Sequence, residues 1–263
     1  MRVQSIIAYS FYIALGMCLI SCDDPNAIPD IRAGEDVGIG FTSVGLDLNT
    51  IALRTQEALA GNLITDAMLY KSSQLGHNVD FAITNGGAIR FNSNVYPDGI
   101  LPPGEVTRSD LLDILPFDNR MVVITVTGEE VKQILERSVA DLPDNISPAG
   151  QFMQVSRGIT FTVDLFNDAQ IIDTNQNVPV IISPGSRVEA IMINGAAYQD
   201  RQEYVLVTNE FVASGGDGYA TFAAIDASRK VTLDVLDRDA VEDYLTDNSP
   251  VSPIIESRIN LVQ

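Results

Sequence analysis

Three short loops carry most of the residues in this chain that could do chemistry on a small molecule. NGGAIR sets an amide, Asn85, five residues ahead of a guanidinium, Arg90. LPF ends on Phe117, beside Pro116. FVASGGDGY offers Phe211, Gly215, Gly216, Asp217 and Tyr219. One glycine is enough for a turn. Several around a carboxylate, between aromatic residues, let a ligand approach the backbone closely. Two rings, an amide, a carboxylate and a guanidinium together make a nucleoside-binding set. Rings stack on a base, worth about 1–3 kcal/mol per base. An amide pairs with a base edge, and a carboxylate accepts hydrogen bonds from ribose hydroxyls. Taken singly, NGG also reads as a turn, Phe117 as a core residue and GGDG as a plain loop.

Other chemistries find little support. A zinc or dinuclear hydrolytic site needs several convergent His, Asp, Asn or Glu ligands. Here there is one histidine, His77, in the polar stretch GHNVD, which reads as a surface residue. Both cysteines, Cys18 and Cys22, lie near the N-terminus. No cofactor or metal is therefore expected in this chain. There is no G-x-S-x-G nucleophile elbow, and no Lys-Ser/Thr follows GGDG to make a phosphate loop. A formal charge of −19 disfavours nucleic acid as a partner. The 46% hydrophobic content supports a sizeable core.

The elements that must position the loops are legible as an alternation of strands and helices. The apolar run VDFAIT leads into NGGAIR, and YVLVTN leads into EFVASGGDGY. TRSDLLDILPF reads as a helix capped by Thr107 or Ser109 and stopped at Pro116. Leu59, Leu63, Ile64, Ala67 and Met68 recur at helical spacing, and GEEVKQILERSVAD predicts a second amphipathic helix, with a last one near AVEDYLTD. MVVITVTG, GITFTVDL, VEAIMING and RKVTLDV read as strands, and the middle of the chain mixes turns with short strands. This is an α/β domain, and in such folds ligands sit at strand-exit loops.

The N-terminus, MRVQSIIAYSFYIALGMCLISC, has a basic start, an apolar run and the ending Leu19-Ile20-Ser21-Cys22. It reads as a secretory signal resembling a bacterial lipoprotein lipobox, with Cys22 as the lipidated residue. An ordinary cleaved signal is the alternative. The expected organisation is a signal over 1–22, an acidic tether over 23–45 and the domain over 46–263. The lipid would anchor it at a membrane, in the periplasm or on the outer-membrane surface.

Five ordered motifs carry a further resemblance: GNLITDAML, TNGGAIR, TRSDLLDILPFDNRMVVITVTGEEVKQILE, GQFMQVSRGITFTVDL and YVLVTNEFVASGGDGY. From about residue 46 to 225 the chain resembles the C-terminal domain of the 5′-nucleotidase/UDP-sugar hydrolase family. The resemblance implies a four-layer α/β/β/α sandwich that binds the nucleoside part of the substrate. A separate calcineurin-like metallophosphatase domain carries the metals in that family. Residue by residue, it implies that Phe117 and Phe211 clamp the base and Asn85 meets its edge. Arg90 would reach the ribose and phosphate side, and Asp217 would hold the ribose hydroxyls. Three positions depart from the pattern. Gln56 stands for a second ligand-facing arginine, with Arg54 nearby as a substitute; Leu59 stands for an Asn; Arg157 stands for a Gly. The resulting expectation is the binding half of a split 5′-nucleotidase, inactive alone, with a separately encoded metallophosphatase supplying divalent metals. The alternatives are a stand-alone nucleoside- or nucleotide-binding lipoprotein and a structural remnant.

Overall fold

Along the central strands, successive side chains face two different cores. Phe81, Ile83, Val122, Ile124, Val126, Tyr204 and Leu206 enter one cluster, while Ala82, Met121, Val123 and Val207 enter the other. That is the period-two alternation of a sheet buried on both faces. The computed structural model describes residues 37–143, 148–176 and 178–262. Its largest sheet has five strands, in the order Lys230–Leu236, Arg120–Thr127, Glu203–Asn209, Phe81–Asn85 and Met153–Val155. Only Glu203–Asn209 and Phe81–Asn85 run parallel; the other neighbours are antiparallel.

Helices Leu59–Gln74, Arg108–Ile114 and Asp237–Asn248 cover one face, contributing Leu63, Ile64, Met68, Leu111, Ile114, Val241 and Leu245. The other face shares its core with a four-stranded sheet ordered Ala196–Ala197, Val188–Ile193, Ile159–Asp164, Ile259–Val262. In that sheet Ile159, Phe161 and Val163 point inward, and helix Gly128–Ser138 adds Val131, Ile134 and Leu135 to the same core. The result is the α/β sandwich with two sheets that the sequence leads one to expect. Two strand-to-helix junctions are fixed locally by capping boxes, Thr107 with Asp110 and Thr127 with Glu130.

The register decides where function can sit. Because the two parallel strands end side by side, the loops after Asn85 and Asn209 leave the same edge. The antiparallel neighbours enter there, with Met121 opposite Asn209 and Met153 opposite Asn85. Four chain segments therefore meet at one sheet edge.

Some expectations need correction. Gly38–Thr42 is a strand paired with Gly104–Thr107, so its backbone hydrogen bonds place it in the folded unit and the tether does not reach residue 45. Helix Thr50–Thr55 was not foreseen, being too short to show a helical period. The ribbon formed by Ile171–Asp173 and Val180–Ser183 lies within the stretch read as mixed turns. His77 is half-buried, its backbone N–H donating to the Ser72 carbonyl at 3.0 Å. The signal segment and Cys22 lie outside the described residues. Among the described residues no helix is long and apolar enough to cross a membrane.

Arg157 is used structurally. Its Nη2 donates to Asp66 at 2.7 Å, and Arg258 donates to the same carboxylate at 2.8 and 3.0 Å. Burial would push the Asp66 carboxyl up, but hydrogen bonds from Arg258 and Arg157 hold it below its ordinary value. The stabilisation from ionised Asp66 is thus present above the ordinary carboxylate range and lost as pH falls through its depressed folded value. Asp66→Asn should cost about 1–3 kcal/mol at neutral pH, because it leaves the buried Arg258 with Glu256 as its remaining carboxylate partner. Urea unfolding reads this directly; a loss below about 1 kcal/mol would contradict it.

Candidate functional site

The four converging segments enclose a cleft of about 380 Å³. Asn85, Gly87, Ala88 and Arg90 line it from the first loop, Phe117 and Asn119 from the second, Phe211 and Asp217 from the third, and Gly150 from the fourth. Arg54, at the end of helix Thr50–Thr55, closes the remaining side.

A chain of amides fixes the floor. Asn209, fully buried, donates through Nδ2 to Thr84 Oγ1 at 3.1 Å and to Asn85 Oδ1 at 3.0 Å. Its own Oδ1 accepts from the Val212 N–H at 2.9 Å, capping helix Glu210–Ala213. Asn85 then passes the contact on, its Nδ2 donating to Asp217 Oδ2 at 2.7 Å. The parallel strand ends and the glycine loop are thereby joined through two buried amides and the half-buried Asp217.

The glycine loop needs unusual backbone. Gly215 has φ 96°, and Asp217 itself sits in the left-handed region at φ 54°, ψ 22°. A non-glycine residue there is uncommon and implies that its surroundings hold it. Arg137 Nε donates to the Asp217 carbonyl at 3.0 Å, which supplies part of that hold. A Cβ on Gly216 would lie 2.6 Å from both the ring and the carbonyl oxygen of Phe211. Gly216 therefore sets how the Phe211 ring is carried. Tyr219 turns inward: its hydroxyl donates to the Gln151 carbonyl, and burial pushes its pKa well above the ordinary tyrosine value.

The walls are apolar rings and cations. Phe117 and Phe211 are 44% and 46% exposed and present apolar ring surface to the cleft they both line. The Arg90 guanidinium stands 5.5 Å from the centre of the Phe117 ring, within cation–π range. Arg54 Nη1 donates to the Pro148 carbonyl at 3.0 Å, while its buried Nε has no partner. Burial, and then the charge of Arg90, lower the Arg54 pKa; Asp217 opposes them. Two guanidiniums crowded into one cleft of a strongly acidic chain favour an anionic group between them.

Five sequence-predicted residues are thus brought together: Asn85, Arg90, Phe117, Phe211 and Asp217. Gly215 and Gly216 do not line the cleft but shape the loop behind it. Asn119, Gly150 and Asn209 were not picked out as site residues, and Arg54 only as a substitute for Gln56. Spacing could have found Asn119, two residues from Phe117, whereas Asn209 and Gly150 are visible only once the strands are paired. The reading of Gln56 as a lost ligand arginine is corrected. Gln56 is exposed, its carbonyl accepting from Gln154 Nε2, and Arg54 is the residue that faces the cleft. Leu59 is half-buried and packs on the helical core. Among the described residues no group of three or more His, Cys, Asp or Glu is placed to hold a metal ion.

Asn209→Ala would leave Asn85 Oδ1 and the Val212 N–H without these partners. The expected cost is about 1–3 kcal/mol in urea unfolding, together with chemical-shift changes at Asn85 and Asp217. A stability change within about 0.5 kcal/mol would contradict the role given to this amide.

Comparison with known proteins agrees with the fold. The sequence profile of the 5′-nucleotidase C-terminal domain matches residues 38–224. The chain is 33% identical over 90% of its length to the trifunctional nucleotide phosphoesterase protein YfkN of Bacillus subtilis, spanning 14% of that protein. It is 30% identical over 88% of its length to a 5′-nucleotidase of Diplobatis ommata, spanning 37% of it. Among solved structures, a 5′-nucleotidase precursor from Thermus thermophilus superposes with a TM-score of 0.72 at 29% identity, covering 86% of this chain and 39% of that one. The chain spans well under half the length of these relatives. It belongs to the 5′-nucleotidase C-terminal domain family.

Proposed function

We propose that the cleft binds a nucleoside or nucleoside monophosphate for a 5′-nucleotidase-type phosphate-ester hydrolysis whose metals are supplied by a separate metallophosphatase unit. The observation that carries this reading is the placement of two half-exposed rings, Phe117 and Phe211, with two guanidiniums, Arg54 and Arg90, on one cleft. The rings take the two faces of the base, which stacking favours by about 1–3 kcal/mol. Asp217 accepts from the ribose hydroxyls, and Arg54 and Arg90 hold the phosphate. Asn85 Oδ1 is taken by Asn209 and its Nδ2 by Asp217. Asn119 is therefore the better-placed amide to meet the base edge. The lipobox-like segment ending at Cys22 supports anchoring of the chain at a bacterial membrane, in the periplasm or on the outer-membrane surface.

Calorimetric titration with adenosine and AMP, without added metal, tests the binding role. Phe117→Ala and Phe211→Ala should each weaken adenosine binding about five- to hundredfold with the fold intact. Unchanged affinity in both variants would remove the stacking role. Arg54→Gln should reduce any preference for AMP over adenosine, Arg90 keeping part of it, while leaving adenosine binding as it was. An unchanged preference would show that Arg54 does not meet the phosphate.

A further inference from the structure

Behind the cleft wall lies a carboxylate with no assigned task. Asp237, the first residue of helix Asp237–Asn248, is 1% exposed. Its Oδ1 accepts from the Arg238 N–H at 2.8 Å, and its Oδ2 has no hydrogen-bond partner. Its own N–H donates to the Asn119 carbonyl at 3.0 Å, which ties it to the residue that lines the cleft beside Phe117. A buried acceptor without a well-made hydrogen bond is costly, and the side-chain amide of Asn119 is near enough to this carboxyl to act on it as a donor.

The surrounding charges are otherwise engaged. Arg238 pairs with Asp118 at 2.5 Å, and Arg120 pairs with Asp234 at 2.5 Å. Asp239 accepts from the Leu236 N–H at 3.3 Å. On the neighbouring helix, Arg108 pairs with Glu242. Burial pushes the Asp237 carboxyl up to about 7, with Asp239 adding to it, against the Arg238 N–H, the Asn119 amide and the Arg238 charge.

We propose that Asp237 is a positioning residue whose protonation sets which end of the Asn119 amide faces the cleft, and hence whether the site prefers a base with a donor or an acceptor at that edge. The proposal rests on the nucleoside reading above. When ionised, Asp237 only accepts hydrogen bonds, so the Asn119 NH2 turns toward Oδ2 and its carbonyl faces the cleft. That carbonyl accepts from an exocyclic amino group, as on adenine. When neutral, Asp237 donates its O–H to the Asn119 carbonyl, and the NH2 faces the cleft to meet an oxo group, as on hypoxanthine.

The test is calorimetric titration of the whole chain with adenosine and with inosine, about one pH unit below and one above 7. The adenosine-to-inosine affinity ratio should rise about three- to tenfold from the lower pH to the higher, the worth of one hydrogen bond. In Asp237→Asn the ratio should be the same at both pH values. Asn119→Ala, which keeps Asp237, should also give a flat ratio and decides the matter if Asp237→Asn fails to fold. A wild-type ratio independent of pH, with both nucleosides bound, overturns this inference and leaves the nucleoside reading standing. A ratio that still shifts in Asp237→Asn or Asn119→Ala likewise overturns it. No binding of either nucleoside at either pH overturns both. A purely structural role for Asp237 would change both affinities together and leave the wild-type ratio flat.

Discussion

The contact on which the rest of the site depends is the run of hydrogen bonds from Asn209 through Asn85 to Asp217. It joins the ends of the one parallel strand pair in the central sheet to the tip of the glycine loop. Asn209 serves three elements at once: strand Phe81–Asn85, its own strand, and the helix it caps. In a low-dielectric interior such amides strengthen one another and are costly to leave unpaired. The position of Asp217, and through Gly216 the way the Phe211 ring is carried, follows from this chain.

Charge is distributed unevenly on that scaffold. The whole chain is strongly acidic, yet the cleft gathers Arg54 and Arg90 against Asp217 alone. Elsewhere a more deeply buried arginine, Arg258, is fully matched by Asp66, Glu256 and the Val155 carbonyl. The contrast separates two uses of the same side chain. Arg258 has its partners inside the fold and contributes stability. Arg54 keeps a buried Nε without a partner and is held beside another cation, a cost that an incoming anion would offset.

Much of this was legible in the sequence because the site is carried by local signals. VDFAIT before NGGAIR and YVLVTN before EFVASGGDGY place Asn85, Phe211 and Asp217 at strand exits, where the structure has them. Thr107 as a cap and Pro116 as a stop place Phe117 at the end of its helix. What could not be read depends on pairing between distant segments. Arg54 reaches the cleft because a six-residue helix docks beside the loop that follows Phe81–Asn85, and no periodicity announces so short an element. Tyr219 looks like a ring beside the glycine loop but is turned into the core by its bond to Gln151, a residue of another segment. Nothing in the sequence singles out Asp237, and only the packing of its helix behind Asn119 shows its burial.

A crystal structure of the chain with AMP would show whether the cleft at this sheet edge is a nucleoside clamp. A clamp places the base between Phe117 and Phe211, ribose hydroxyls on Asp217 and the phosphate between Arg54 and Arg90. AMP bound elsewhere on the chain, or lying in the cleft with its base outside the two rings, would contradict it.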